Sequence, residues 1–314
     1  MMTRSDIKAA LAAGHAAAMA VDGGQNADYI PFLASVPSDL LGIAVVTASG
    51  ETHTMGDAGY GFAIESISKV FTLALVLERI GAEAVREKIG ADPTGLPFNS
   101  VMALELHNGK PLSPLVNAGA IASASLAPGD SADASWDAIL DMQSRFAGRP
   151  IQLSATVNKS EQETNFHNRA IAWLLYSAGS CFCDPVKAVD VYTRQCSTLV
   201  TAEDLAVMGA TLAAGGVNPR TGEQVIKPEH TAPILAEMMM EGLYTASGDW
   251  AYTVGLPAKS GVGGGIMAVV PGVMGIAAFS PPLDTAGNSV RGQAAVAAVA
   301  KSLGYNLFTN PLQA

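Results

Sequence analysis

Charge is scarce in this chain. Asp, Glu, Lys and Arg make up 15% of 314 residues, against 49% hydrophobic residues. Disorder needs the opposite balance, so an ordered globular protein with a real core follows. Positive charge is the scarcer sign: 18 Lys and Arg face 28 Asp and Glu, for a net charge of −10. An acidic surface argues against nucleic acid and anionic membrane as partners. Cysteine is scarce too. Cys181, Cys183 and Cys196 are odd in number and fall in one short stretch. They supply no disulfide framework and favour a reducing, cytoplasmic setting. The five histidines, His15, His53, His107, His167 and His230, are scattered with no HxxxH pair. No metal site is expected from that spacing. Internal repeats and low-complexity linkers are also missing.

Two stretches imitate membrane segments. Residues 1–21 are Ala-rich, but Asp6 falls in the would-be basic region, and Gly14 and His15 break the apolar run. An amphipathic first helix stopped at Asp22-Gly23-Gly24 fits better than a signal peptide. Residues 261–283 carry no charge and have the length of a membrane span. Gly263-Gly264-Gly265, Pro271-Gly272 and Pro281-Pro282 interrupt them, so two buried strands joined by a Pro-Gly turn are expected.

The order of elements suggests an architecture. A helix is expected over about 3–20, and a hairpin over 41–48 and 51–54 around Ser49-Gly50. An apolar helix follows over 66–80, ended by Gly81. The middle, about 82–240, reads as mostly helical, most clearly at 171–178, 202–214 and 228–240. Strand-like runs return at 250–254, 256–260, 266–270 and 273–279. A last helix covers 289–303, stopped by Gly304. Strands at both ends and helices between them imply an α+β protein. One mostly antiparallel sheet would be packed by the terminal helices, with a helical lobe inserted. The lobes would divide as about 1–65 with 245–314, and about 66–244, within a single domain spanning 1–314. The cleft between lobes is the natural site.

The stretch Glu65-Ser66-Ile67-Ser68-Lys69 can carry chemistry. Residues three apart on a helix share a face, so the Ser66 hydroxyl and Lys69 amine can meet. Unpaired N–H groups at the helix start could stabilise an oxyanion. S-x-x-K is a weak motif by itself; about one chance match is expected in this length, and Ser5-Asp6-Ile7-Lys8 also fits. The bland reading makes Ser66 a helix cap and Lys69 a solvated side chain. Context favours the sharper reading. Val70, Phe71, Leu73, Ala74, Leu75, Val76 and Leu77 make the helix apolar on nearly every side, so Lys69 should be desolvated and its pKa lowered. Lys259-Ser260-Gly261 resembles the K-[ST]-G strand of penicillin-recognising enzymes. Beside it, the Val262 N–H is a candidate second oxyanion donor. Asn117, Glu161, Asn168, Tyr192 and Tyr244 stand in apolar or Gly-rich surroundings. Singly each is a structural residue; together they suit a small zwitterion.

These residues resemble the glutaminase family across nearly the whole chain. The carriers include Asn26-Ala27-Asp28-Tyr29-Ile30-Pro31, the Glu65–Lys69 block, Leu115-Val116-Asn117-Ala118-Gly119, Ser160-Glu161, Asn168-Arg169, Val191-Tyr192, Gly242-Leu243-Tyr244, Leu256-Pro257-Ala258-Lys259-Ser260-Gly261-Val262 and Ser280-Pro281-Pro282-Leu283-Asp284. The resemblance implies a serine β-lactamase-like fold and hydrolysis of L-glutamine to L-glutamate and ammonia through a serine acyl-enzyme. No cofactor is implied, and the assembly would be a homodimer or homotetramer. Ser66 would be the nucleophile, supported by Lys69 and Tyr244, with Lys259 a further source of positive charge. Tyr29, Ser66, Asn117, Glu161, Asn168, Tyr192, Tyr244 and Val262 would contact glutamine. Many relatives carry Gln where this chain has Glu65. Two other readings compete: a penicillin-binding or β-lactamase-type enzyme, and a non-catalytic amino-acid binder.

Overall fold

A computed structural model describes residues 3–309. The chain opens with α1 (Arg4–Met19), started by a reciprocal Thr3–Asp6 capping box. A short α2 (Pro31–Ala34) precedes the hairpin β1 (Gly42–Thr47) and β2 (Thr52–Gly56). A two-residue strand, β3 (Phe62–Ala63), leads through a 3₁₀ turn, Glu65–Ile67, into α3 (Ser68–Lys88). Helices then dominate: α4 (Val101–Leu106), α5 (Asn117–Ser125), α6 (Ala132–Ala147), α7 (Ala155–Thr164), α8 (Phe166–Ser177), α9 (Pro185–Cys196), α10 (Ala202–Ala213), α11 (Thr231–Glu241) and α12 (Ser247–Thr253). Two short strands interrupt them, β4 (Gln152–Leu153) and β5 (Thr198–Val200). The chain returns through β6 (Ala258–Ser260), β7 (Gly265–Val270) and β8 (Met274–Phe279) to α13 (Val290–Leu303), which Gly304 ends in a left-handed cap.

The main sheet has five strands in the order β2-β1-β8-β7-β6, every pair antiparallel. It draws on both ends of the chain, as the element order implied. Alternate residues of its strands feed two cores. Ile43 and Val45 of β1, with Ile266, Ile276 and Ala278, join α1 and α13 on one face. Ala44 and Val46, with Met267, Val269, Ala277 and Phe279, join α3 and α10 on the other. Because both faces are covered, these strands read as unbroken apolar runs. The terminal helices therefore cover one face as expected, and α10, from the middle of the chain, lies on the other. It approaches closely because β8 offers Gly275: a Cβ there would sit 2.2 Å from the Ala206 carbonyl oxygen.

Three sequence expectations change. Residues 250–254 are not a strand; Trp250 and Val254 are buried one helical turn apart, at α12 and its cap, while Tyr252 is 90% exposed. The five-residue run was too short for its period to decide between strand and helix. Gly81 does leave the helix (φ 80°), but the chain resumes helical geometry to Lys88. A second sheet, in the order β3-β5-β4, had no counterpart in the sequence reading. It ties the segment before the 3₁₀ turn to the helical region: Phe62 pairs with Val200, and Ile64 N–H donates to the Thr198 carbonyl at 2.9 Å. Among the described residues no helix is long and apolar enough to cross a membrane.

Candidate active site

Ser66 lies in the 3₁₀ turn rather than at the cap of α3, and the turn runs straight into the helix. Its neighbour Glu65 holds φ at 51°, and Tyr244 at 56°. Left-handed backbone is uncommon for residues other than glycine and is retained where surroundings force it. The forcing partner at Glu65 is the turn between β6 and β7. A Cβ on Gly261 would lie 2.7 Å from the Ile64 carbonyl oxygen, and one on Gly263 only 2.2 Å from that of Ala63. Glycine at these two positions lets the turn press onto the Ser66 segment and bring Val262, which is buried, beside it. Among the described residues, neither the Ser66 nor the Val262 backbone N–H is hydrogen-bonded.

Lys69 is 1% exposed. Its Nζ donates to Asn117 Oδ1 at 2.6 Å and to the Leu115 carbonyl at 3.4 Å, and lies 5.9 Å from the Tyr192 ring centroid. Desolvation lowers its pKa from 10.5 to about 8, opposed by Cys196, Glu65 and Glu241. Asn117, the first residue of α5, is no helix cap: its Nδ2 donates to Asn168 Oδ1 at 2.9 Å, so it links Lys69 to α8.

Lys259 is fully buried on β6. Its Nζ donates to the carbonyls of Gly242 (2.9 Å) and Ser260 (2.7 Å) and sits 4.3 Å from the Tyr244 ring centroid. Desolvation, then the charge of Lys69, holds it well below its ordinary pKa. The Tyr244 hydroxyl donates to the Ser260 carbonyl at 3.4 Å and acts on Ser66, yet burial raises its phenol. A standing phenolate at Tyr244 is therefore disfavoured, whereas Lys69 is lowered toward its neutral form.

Glu161 of α7 and Glu65 are both buried, and their carboxyl groups act directly on each other. Desolvation raises both, Glu65 further because Glu161 also raises it. Tyr192 of α9 is buried and raised, by desolvation first and then by Cys196, Glu161 and Glu65. Tyr29 is 56% exposed, but its phenol is raised by desolvation and by Tyr244, Glu65 and Glu161, which places it at the rim of the same cluster. A cleft of about 760 Å³, lined in part by Tyr29, Phe98 and Gly287, opens beside it. A Cβ on Gly287 would lie 3.5 Å from Tyr244 and 3.6 Å from Val262.

The structure thus gathers the sequence-predicted residues around one buried point. It adds residues the sequence reading missed. Glu241 is the buried negative neighbour of both lysines and accepts the Thr94 N–H at 2.9 Å. Asn288 Oδ1 accepts from Ser260 Oγ at 2.5 Å, and its Nδ2 donates to the Leu243 carbonyl at 3.2 Å. The one signal for Asn288 was a polar residue inside Gly287-Asn288-Ser289; Glu241 had none. Among the described residues no cluster of three or more His, Cys, Asp and Glu could hold a metal ion.

Fold and site together define a mixed helix and antiparallel-sheet protein with a serine hydroxyl set among two buried lysines and a tyrosine. Residues 24–308 match the glutaminase family. A glutaminase of Brucella canis is 74% identical over 310 residues, covering 98% of each chain. Glutaminase 1 of Shigella flexneri is 68% identical, over 92% of this chain and 93% of its own. A solved structure described as "Probable glutaminase ybaS" superposes with a TM-score of 0.97 at 63% identity, over 98% of this chain and 100% of its own. A structure described as "Mglu in its glutamate form" gives 0.91 at 35%, over 98% and 71%. The chain belongs to the glutaminase family.

Proposed function

We propose that this glutaminase hydrolyses L-glutamine to L-glutamate and ammonia through an acyl-enzyme on Ser66. The observation that carries the mechanism is the contrast between Lys69 and Tyr244. One is a buried amine lowered to about 8, the other a phenol beside Ser66 that burial raises. Ser66 Oγ attacks the side-chain carboxamide carbon as its proton passes to Lys69 Nζ. The N–H groups of Ser66 and Val262 receive the oxyanion. Tyr244 hands a proton to the leaving nitrogen, and the proton gained by Lys69 returns to the site, so ammonia leaves a γ-glutamyl ester. Water hydrolyses that ester by the same route, and Ser66 regains its proton. No bound group is needed for these steps.

Glu161 takes the α-ammonium of glutamine: among the described residues no N–H group donates to its buried Oε1, so the carboxylate is left for a cation. Asn117, Asn168, Tyr29 and Tyr192 hold the α-carboxylate and orient the chain. Lys259, under the Tyr244 ring, supports it electrostatically.

The scaffold fits a serine β-lactamase-like arrangement, with a sheet lobe from about 1–65 and 245–314 and a helical lobe over about 66–244. A homo-oligomer, dimer or tetramer, is supported by one surface. Met102 and Leu106 on α4 and Phe166, Trp173 and Tyr176 on α8 are each more than half exposed. The three cysteines are unpaired, which supports a reducing, cytoplasmic setting.

The test is ammonia release from L-glutamine and L-asparagine and the colour change of a chromogenic cephalosporin, with EDTA present, alongside adduct mapping with 6-diazo-5-oxo-L-norleucine. Glutamine turnover and an adduct on Ser66 are expected. Turnover of the cephalosporin alone would favour the β-lactamase reading, and an adduct on Cys181, Cys183 or Cys196 would overturn the nucleophile.

A further inference from the structure

Glu65 touches the reacting centre from behind, and the mechanism above gives it no task. Its left-handed backbone turns its side chain under the β6–β7 turn. There its Cβ and Cγ would lie only 3.3 and 3.2 Å from a Cβ added to Gly261 or Gly263. The side chain is confined, 3% exposed, and its carboxyl meets that of Glu161. Among the described residues no other group donates to the buried Oε1 atom of either residue, which leaves the two free to share one proton.

An ionised carboxylate has no proton to donate, so two carboxyl groups can hydrogen-bond only when one is protonated. The groups facing this pair do not compensate two negative charges. Lys69 of α3 is the one cation acting on Glu65, and its Nζ is committed to Asn117 and Leu115. The other titratable neighbours are Tyr29 before α2, Tyr192 and Cys196 on α9, and Tyr244, all acids raised by burial.

We propose that Glu65 is a positioning residue: it carries the one proton of a Glu65–Glu161 pair, donates it to Glu161, and so presents Glu161 as a single carboxylate to the substrate's α-ammonium. This deepens the glutamine reading and rests on it. A glutamine cation would meet one negative charge, matched to its own. Loss of the shared proton would place two carboxylates against each other in a site closed to water, where like charges repel strongly. The two would swing apart and the ammonium site would be lost. The sign follows from the raised pKa of Glu65, the group that holds the proton: the shared proton is present below its folded value and is lost as pH rises through it. Lys69 works the opposite way, gaining its neutral form as pH rises through about 8. The pair governs the alkaline limb of the profile and Lys69 the acid limb. An amide at position 65 would make the same donation with no proton to lose.

The experiment measures kcat and KM for L-glutamine between about pH 5 and about pH 9.5 in the wild type, Glu65→Gln and Glu65→Leu. In Glu65→Gln the ratio of kcat/KM at about pH 9 to that at about pH 6 should rise about tenfold over wild type, mainly through KM, with the acid limb unmoved. Glu65→Leu, which has no donor, should raise KM about tenfold or more at every pH while kcat changes less. An unchanged ratio in Glu65→Gln overturns the inference, as does an acid limb that shifts, since that would mean Glu65 is charged. The wild-type minus Glu65→Gln infrared difference spectrum of the free enzyme at neutral pH should contain the carbonyl stretch of one protonated carboxyl, while that of Glu237, which burial pushes up to about 7, cancels. That readout needs no substrate and no Leu variant. If the wild type hydrolyses no glutamine at any pH, the functional reading falls, and the infrared result still decides the pair.

Discussion

The starts of α10 and α3 are built on opposite plans. At α10, Thr201 caps the helix and Asp204 closes the box: Thr201 Oγ1 accepts the Asp204 N–H at 3.1 Å, and Asp204 Oδ2 accepts the Thr201 N–H at 2.8 Å. Arg149 adds a two-pronged bond to the same carboxylate, at 2.6 and 2.5 Å. Donors, acceptors and charges are matched, and local pattern, capping and electrostatics agree. At α3 no side chain caps the helix. Glu65 is strained and keeps a free buried oxygen, and Lys69 sits in the first turn, the end of a helix that disfavours a cation. The difference teaches that a helix start can be left unmatched where it borders a candidate site, while a matched start holds the frame.

Breaking the two starts should separate activity from stability. The largest effect is expected from Ser66→Ala, with kcat reduced about 10⁴-fold or more and thermal midpoint unchanged. Retention of even a hundredth of wild-type turnover would remove Ser66 as nucleophile. Lys69→Arg should lose about 10²–10⁴-fold in kcat, because arginine cannot release a proton at working pH. An Arg variant keeping more than about a tenth of kcat would leave Lys69 as a mere positive charge.

Lys69→Met controls for bulk and sharpens the comparison, because it should be inactive yet more stable. Lowering Lys69 from 10.5 to about 8 on folding corresponds to a penalty of about 3 kcal/mol for the buried charge. Loss of its Asn117 hydrogen bond offsets part of that, leaving a net gain of about 1–3 kcal/mol at neutral pH. A lowered folded pKa means the folded state binds fewer protons, so the wild type gains stability as pH rises from about 8 to 10.5. The advantage of Lys69→Met should shrink over that window; denaturant unfolding at several pH values would show an unchanging gap if the lysine were not desolvated.

Smaller effects complete the contrast. Glu161→Gln removes the charge proposed to meet the ammonium, and kcat/KM should fall about ten- to a hundredfold. Unchanged kinetics would leave Glu161 a structural residue. At the other helix, Asp204→Ala should lower stability by about 1–3 kcal/mol through the lost cap and buried bonds, while kcat/KM at a temperature where the variant is folded stays within about twofold. A large kinetic loss there would mean the α10 start is coupled to the site.

Much of this was legible in the chain. Local periods placed α1, the β1–β2 hairpin, the start of α3, α10, β7, β8 and α13 within a few residues, because apolar spacing and Gly, Pro and Thr boundary signals act over one or two turns. The strand at 250–254 failed for the same reason, since five residues do not settle a period. β3, β4 and β5 are two or three residues each and owe their existence to partners far along the chain, so nothing local announced them.

By itself, then, the sequence determined most of the helices and the longer strands, that the strands after Lys259 would be buried, and that Ser66 and Lys69 stand three apart where a helix begins. The tertiary structure alone decided that Lys69 is sealed against Asn117, that Lys259 lies under Tyr244, and that Glu65 meets Glu161. Local propensity has a reach of a few residues, whereas desolvation and the contact of two carboxyl groups depend on which distant elements close around them.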